Sequence, residues 1–301
     1  MLEPLMDSLL LLRSFGDFVI AINAAQTAAL ASQKKLIASV HLQALYVAIK
    51  PYLANQNIPI QFVDLGIERP LYSAFTNRYL ISKQSVKELR ALKKMLENNK
   101  SIFYLEQSRR LLLLSLYTQQ NFKSIHSSGN IYYSYQQAFG SNLSFNVEFA
   151  YSNFQINATN NQNNFQRNIA ASDFPSAKNM LVFPDSRMQK KELPIGWLNE
   201  LTQGLTNTAK TLTIARFGNN QIPTQLSYKN FNELVALIVN ADAIISSDSL
   251  PAHLAQLLHK PHAVVYTSKI NKEWITPYAH QEHTGFLLNQ LPALLTLINA
   301  H

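Results

Sequence analysis

The feature that most constrains this chain is an alternation that runs along it twice. Short apolar runs of strand length are followed by longer stretches of helical period. In the first half, Ser8 to Leu12, Lys35 to Val40, Ile58 to Asp64 and Ile102 to Leu105 read as buried strands. Helices are predicted between them from about Asp17 to Ser32, Leu42 to Ala54 and Gln84 to Asn98. The second half repeats the pattern with strands at Met180 to Phe183, Thr211 to Ala215, Ala243 to Ser246 and His262 to Tyr266. Its helices are predicted at about Pro194 to Leu205, Tyr228 to Asn240, Ser249 to Leu258 and Leu291 to Ala300. Short, mostly apolar strands alternating with helices imply a parallel sheet covered on both faces. The predicted fold class is therefore α/β, with no repeat at the residue level.

Between the halves the composition changes. Seven asparagines fall between Asn153 and Asn168, with few apolar residues among them. Such a stretch buries too little surface to offset its ordering entropy, so it reads as a linker or long surface loop. The predicted organisation is a first domain at 1–155, an Asn-rich linker at 156–177 and a second domain at 178–301. Two open α/β domains joined this way predict a ligand cleft between the carboxyl ends of their strands.

Composition narrows the chemistry. The 301 residues include no cysteine, which excludes disulfides, thiolate catalysis and Cys-based zinc sites. Lys and Arg number 26 against 18 Asp and Glu, a net charge of +8, which favours anionic partners without choosing among them. No apolar run approaches a membrane span, and Glu3 and Asp7 stand where a signal peptide would carry basic residues. The expected location is cytoplasmic, where the Asn157-Ala158-Thr159 sequon is incidental.

Three polar segments follow predicted strands. In Arg13-Ser14-Phe15-Gly16-Asp17, Gly16 permits a tight strand-to-helix turn, and the helix start suits an anion or polar group. Asp17 reads equally as a helix cap. In Asp185-Ser186-Arg187-Met188-Gln189-Lys190-Lys191, three cations and a hydroxyl lie within six positions. A diphosphate not neutralised by metal needs such a cluster, although a solvated loop has the same composition. In Ser247-Asp248-Ser249-Leu250-Pro251-Ala252-His253, the strand runs into a helix whose first turn carries Pro251. Asp248, Ser249 and the free N–H groups there suit sugar hydroxyls or a phosphate, and also suit plain capping.

Taken in order, these segments resemble the heptosyltransferase family, glycosyltransferase family nine. That family opens on a strand and a Gly-Asp turn, as at Arg13 to Asp17. Its second domain opens with a strand, a small polar turn, a Lys, then Pro and an aromatic residue; here Phe183 to Trp197 contains Ser186, Lys190, Lys191, Pro194 and Trp197. Its late signature of Asp, Thr or Ser, Gly, two residues and His reads here Asp248 to His253, with Leu250 in place of the Gly. The resemblance is strongest from Leu181 to Tyr266. It leaves open which of Lys190 and Lys191 is the family lysine.

The resemblance implies the GT-B fold, two Rossmann-like domains facing across a cleft. It also implies inverting, metal-independent transfer of a sugar from a nucleotide-sugar co-substrate, for which ADP-heptose is the family's best-known donor. No further cofactor and no metal site are expected. Asp17 would be the general base. Ser186, Arg187, Lys190 or Lys191, Asp248, Ser249 and His253 would form the donor side. Gly16, with Arg109 and Arg110 after the fourth strand, would serve the acceptor, an anionic lipid-linked glycan such as a lipopolysaccharide core. Lys83, Lys87, Arg90 and Lys94 recur at helical spacing with Val86, Leu89 and Leu96 on another side. That stripe fits peripheral contact with the inner membrane, or a solvated helix face. A different reading is a degenerate family member that binds nucleotide or glycan without catalysis, motivated by Leu250 and by only 8 glycines. Nucleic acid is not an expected partner, because no base-reading module is present.

Overall fold

The computed structural model describes residues 6–11, 14–28, 35–54, 56–63, 90, 92–94, 96, 97, 99–104, 115, 118–120, 122–125, 129–139, 176–206, 209–218 and 226–300. The chain forms two compact units, Met1–Ser144 and Phe145–His301. Among the described residues each contains one sheet, and every strand pairing is parallel. The predicted linker 156–177 falls outside the described residues except at its last two positions.

In the first unit, β1 (Met6–Leu11), β2 (Lys35–Ser39), β3 (Ile60–Val63), β4 (Asn99–Tyr104) and β5 (Phe122–Ser124) pair in the order β3-β2-β1-β4-β5. β1 thus lies between β2 and β4, and the strand order reverses there. Helix α1 (Phe15–Ala28) follows β1, and its Phe18, Val19, Ile20, Ala21 and Ile22 are all fully buried. A helix apolar all round must be enclosed. α1 packs on α3 (Ile131–Ala138), which begins at Asn130, where Oδ1 accepts from Tyr132 N at 2.9 Å. α2 (Gln43–Ile49) is shorter than its pattern predicts. Pro51 cannot donate to the preceding turn, so a 3-10 turn at Lys50–Tyr52 ends the helix. Phe18 and Tyr46 meet edge to face at 6.4 Å, and Tyr46 lies 5.7 Å from Phe62, which joins α1, α2 and β3.

In the second unit the order is β11-β10-β9-β6-β7-β8. The strands are β6 (Asn179–Phe183), β7 (Thr211–Phe217), β8 (Leu226–Tyr228), β9 (Ala243–Ser247), β10 (His262–Tyr266) and β11 (Gly285–Leu287). β9 and β10 are buried at every position. Their side chains alternate between the two faces, as strand geometry dictates. Ile245 and Val265 pack with Trp197, Leu198 and Leu201 of α4 (Ile195–Gln203) and with Leu294 and Ile298 of α8 (Leu291–Asn299). Val264 and Tyr266 join a separate cluster with Ala252 of α6 (Leu250–Leu257) and Ala279 of α7 (Pro277–Gln281). Helices therefore cover both faces.

The helix expected from Tyr228 begins instead at Phe231, as α5 (Phe231–Asn240). Asn230 Oδ1 accepts from Glu233 N at 3.0 Å, and the Glu233 carboxylate reaches back to Lys229 N at 2.7 Å. That reciprocal cap fixes the helix start and leaves Tyr228 as the end of β8.

Strand ends and the candidate donor site

In the first unit β1 leads into the Ser14 to Asp17 turn. Ser14 caps α1: its Oγ accepts from Asp17 N at 3.3 Å. Asp17 Oδ2 accepts in return from Ser14 Oγ at 3.1 Å and lies 3.4 Å from Ser14 N. This is a capping box with aspartate at the third helical position. Asp17 is 4% exposed, and Gly16 is half-buried beside it. The capping reading of Asp17 is therefore met by the geometry. Beyond β2, His41 Nδ1 lies 2.8 Å from Ser39 Oγ, and its ring meets Phe15 edge to face at 5.6 Å. His41 was not among the predicted site residues; a single histidine after a strand carries little signal. Arg13, Arg109 and Arg110 lie outside the described residues, as do Lys83 and Lys87. Of the basic stripe, Arg90 and Lys94 are exposed, and Leu96 is buried.

In the second unit the strand order reverses between β6 and β9, which pair with Phe183 opposite Ser246. Open α/β sheets bind ligands at the carboxyl ends flanking such a reversal. Both predicted polar segments arrive there. Ser247 Oγ donates to the Asp185 carbonyl at 3.1 Å and lies 2.9 Å from Ser249 Oγ, tying the two strand ends together. Asp185 also accepts from Arg216 Nη1 at 2.7 Å and from Phe217 N at 2.9 Å, which adds β7 to the cluster. Arg216 and Phe217 were missed by sequence reasoning, since β7 runs two residues beyond its predicted end at Ala215. Gly218 then takes φ +95°, a value that favours glycine, and its N–H donates to the Tyr228 carbonyl at 2.9 Å.

The tandem lysines part at this point. Lys191 Nζ sits 2.6 Å from Asp248 Oδ2, with Asp248 8% exposed. Lys190 is exposed, and its carbonyl accepts from Thr267 Oγ1 at 2.7 Å, which anchors the 3-10 turn Gln189–Lys191 to the segment after β10. Arg187 is exposed. Ser186 Oγ accepts from Met188 N at 3.3 Å within the turn. Lys191 and Asp248 are thus brought together, with Ser249 beside them at the start of α6, while Arg187 and Lys190 stand outward.

His253 lies one turn into α6 and is buried. Burial holds its pKa at about 4, against an opposing pull from Asp248 and a smaller push from Lys191. It is neutral at neutral pH and brings no charge to the strand ends. Tyr266 is also buried, and burial followed by the Asp248 charge raises its phenol far above the usual range. The cluster thus holds two carboxylates, Asp248 paired with Lys191 and Asp185 paired with Arg216. Among the described residues no group of three or more His, Cys, Asp or Glu could hold a metal ion. Among them too, no helix is long and apolar enough to cross a membrane.

The sequence pattern of glycosyltransferase family 9 (heptosyltransferase) matches residues 91–294, more than half of the 301-residue chain. The chain belongs to glycosyltransferase family 9. No curated protein sequence matches it. Solved structures of similar fold include the E. coli heptosyltransferase WaaC with ADP, at 12% identity over 97% of this chain and 99% of that one, TM-score 0.57. WaaC with ADP-2-deoxy-2-fluoro heptose aligns at 14% identity over 92% and 98%, TM-score 0.56. E. coli ADP-heptose lps heptosyltransferase II aligns at 13% identity over 97% and 99%, TM-score 0.53. At these identities the likeness shows the fold, which is GT-B. The family 9 chain is a glycosyltransferase, and its late Asp-Ser signature and its Lys191 turn meet at one sheet reversal.

Proposed function

We propose that this glycosyltransferase is inverting and metal-independent and transfers a sugar from a nucleotide-sugar donor, with ADP-heptose the foremost candidate. The acceptor is a lipopolysaccharide core or related anionic, lipid-linked bacterial glycan. The observation that carries the donor assignment is the Lys191–Asp248 contact at 2.6 Å beside the β6/β9 reversal, in a family 9 chain. The comparison structures support it, since WaaC is solved with ADP and with a fluorinated ADP-heptose.

In this reading Asp17 takes the proton of the acceptor hydroxyl, whose oxygen attacks the anomeric carbon as the bond to the diphosphate breaks. The departing electron pair passes to the diphosphate oxygen. Lys191 stabilises that charge, with Ser186, Arg187 and Lys190 around it. Asp248 and the N–H groups at Ser249 hold the donor, and neutral His253 supports their turn. Gly16 serves the acceptor side, to which the sequence order also assigns Arg109 and Arg110. The second domain is the nucleotide-sugar side and the first the acceptor side. The protein acts in the cytoplasm, in peripheral contact with the inner membrane.

The test is thermal melting with ADP, UDP, GDP and dTDP and their common sugars, ADP-heptose included, without added metal. A ligand that binds the folded state alone raises Tm by mass action. The expected result is a shift with one nucleotide family, lost in Lys191→Ala, together with donor-dependent product formation. No shift with any of them would overturn the donor reading. A shift without turnover would favour the second reading, a binding protein without catalysis, for which Leu250 at the start of α6 is the motivating departure.

A further inference from the structure

Three neighbouring strands of the second sheet end on an aromatic ring. Phe183 closes β6, Phe217 closes β7 and Tyr228 closes β8. Phe217 stands opposite Tyr228 in the β7/β8 register. Phe183 meets Tyr228 at 5.9 Å and Tyr228 meets Phe217 at 5.7 Å, both edge to face. Phe183 is 1% exposed, Tyr228 7% and Phe217 66%. The series climbs out of the core, and its last ring opens to solvent. Among the described residues, Phe217 is the only exposed aromatic side chain.

The backbone beneath that ring is held on both sides. Phe217 N donates to Asp185 Oδ2 at 2.9 Å, and Arg216 Nη1 donates to Oδ1 of the same carboxylate at 2.7 Å. Gly218 N donates to the Tyr228 carbonyl at 2.9 Å. Burial, then the Asp185 charge, push the Tyr228 phenol up to about 12, so the ring that supports Phe217 stays neutral. A lone exposed phenylalanine is ordinary. One whose backbone is pinned and whose edge rests on a buried tyrosine is preorganised, and it loses little freedom when a flat partner covers it.

Position supplies the partner. The sheet runs β9-β6-β7, so the carboxyl ends of β9 and β7 lie two strand spacings, about 10 Å, apart. That is the order of the reach from a diphosphate across a ribose to its base. Lys191 and the cations around it serve the charged part of a nucleotide. The base is uncharged and flat, and its faces need an apolar surface.

We propose that Phe217 binds the nucleobase of the donor, its open face stacked on the base while Tyr228 supports its edge. The inference rests on the donor reading above and deepens it, because it assigns the base, which that reading leaves without a contact. Aromatic stacking tolerates every base, and a purine covers more of the ring than a pyrimidine.

The experiment is calorimetric titration of the full chain with ADP, for the wild type, Phe217→Ala and Phe217→Trp. Because Phe217 is exposed, both variants should melt within a few degrees of the wild type. Loss of the stack should weaken ADP binding about tenfold in Phe217→Ala, while Phe217→Trp binds as tightly as the wild type or more tightly. Unchanged affinity in Phe217→Ala, or an equal loss in both variants, would overturn the proposal and leave the donor reading standing. If Phe217→Ala does not fold, Phe217→Leu replaces it with the same expectation, since it keeps apolar bulk without a flat face. If the wild type does not bind ADP, then UDP, GDP and dTDP replace it in turn. Absence of binding by all four overturns the donor reading and the base assignment together.

Discussion

Acidification should destabilise this protein through a buried histidine at the start of β10. His262 opens β10 and is fully buried. Nδ1 lies 2.8 Å from the Lys260 carbonyl, which can only accept, so Nδ1 carries the proton. Nε2 then accepts from Thr276 Oγ1 at 2.6 Å, and the ring stacks on Tyr278 at 4.8 Å. Burial lowers the folded-state pKa to about 4, from 6.5 when exposed, partly opposed by the bond to Lys260. The unfolded state therefore binds the proton first on acidification. Stability is present in full above about pH 6.5 and is lost progressively as pH falls toward 4. Integrating the linkage between pH 7 and pH 5 gives a loss of about 2 kcal/mol from this group. Urea denaturation at the two pH values, for the wild type and for His262→Gln, isolates it, because all other titrating groups are common to both. The wild type should lose about 2 kcal/mol more than the variant over that interval. Identical losses would refute the assignment of a buried, neutral His262.

Two further substitutions test other parts of the argument. Asp17→Asn retains an acceptor for Ser14, so its Tm should stay within a few degrees of the wild type while kcat for sugar transfer falls about 10²- to 10⁴-fold; undiminished transfer in a product assay would remove Asp17 as the base. Trp197→Ala empties a buried site in the α4–sheet core and strands the Leu288 carbonyl that accepts from Nε1 at 3.1 Å, so urea denaturation should show a loss of about 3–5 kcal/mol. A loss below about 1 kcal/mol would mean that the α4 packing is not what holds this face.

Much of the architecture was legible because fully apolar strands leave little choice. Leu9 to Leu11 and Ala243 to Ile245 are hydrophobic at consecutive positions, which suits a sheet covered on both sides. The elements that escaped notice are short. β5 and β8 have three residues each and lie at sheet edges, where no long apolar run is needed. The Asn130 cap of α3 was visible in principle, as Gly-Asn before an apolar residue, but the tyrosines behind it blur the helical period. At the site, the Asp-Ser signature and the lysine turn were legible as segments. Their pairing was not: residues 191 and 248 meet because β6 and β9 are neighbours, and spacing along the chain carries no such information. Nor could it separate Lys190 from Lys191, since the difference lies in which way a single 3-10 turn presents two adjacent side chains.

The neighbouring positions of β6 and β9 also set a timetable for synthesis. β7 follows β6 directly in pairing, but the other edge of β6 must wait for Ala243–Ser247 to leave the ribosome. Until then an apolar strand stands open on one side, a ready template for another nascent chain. The polar cluster at the β6/β9 reversal cannot precede that closure, because Ser247, Asp248 and Ser249 arrive with β9 and the start of α6. A nascent chain released before residue 253 would therefore lack the Lys191–Asp248 pair and be prone to aggregate, and the slow, non-local strand pairing marks the moment at which the growing polypeptide gains both a closed sheet and its strand-end cluster.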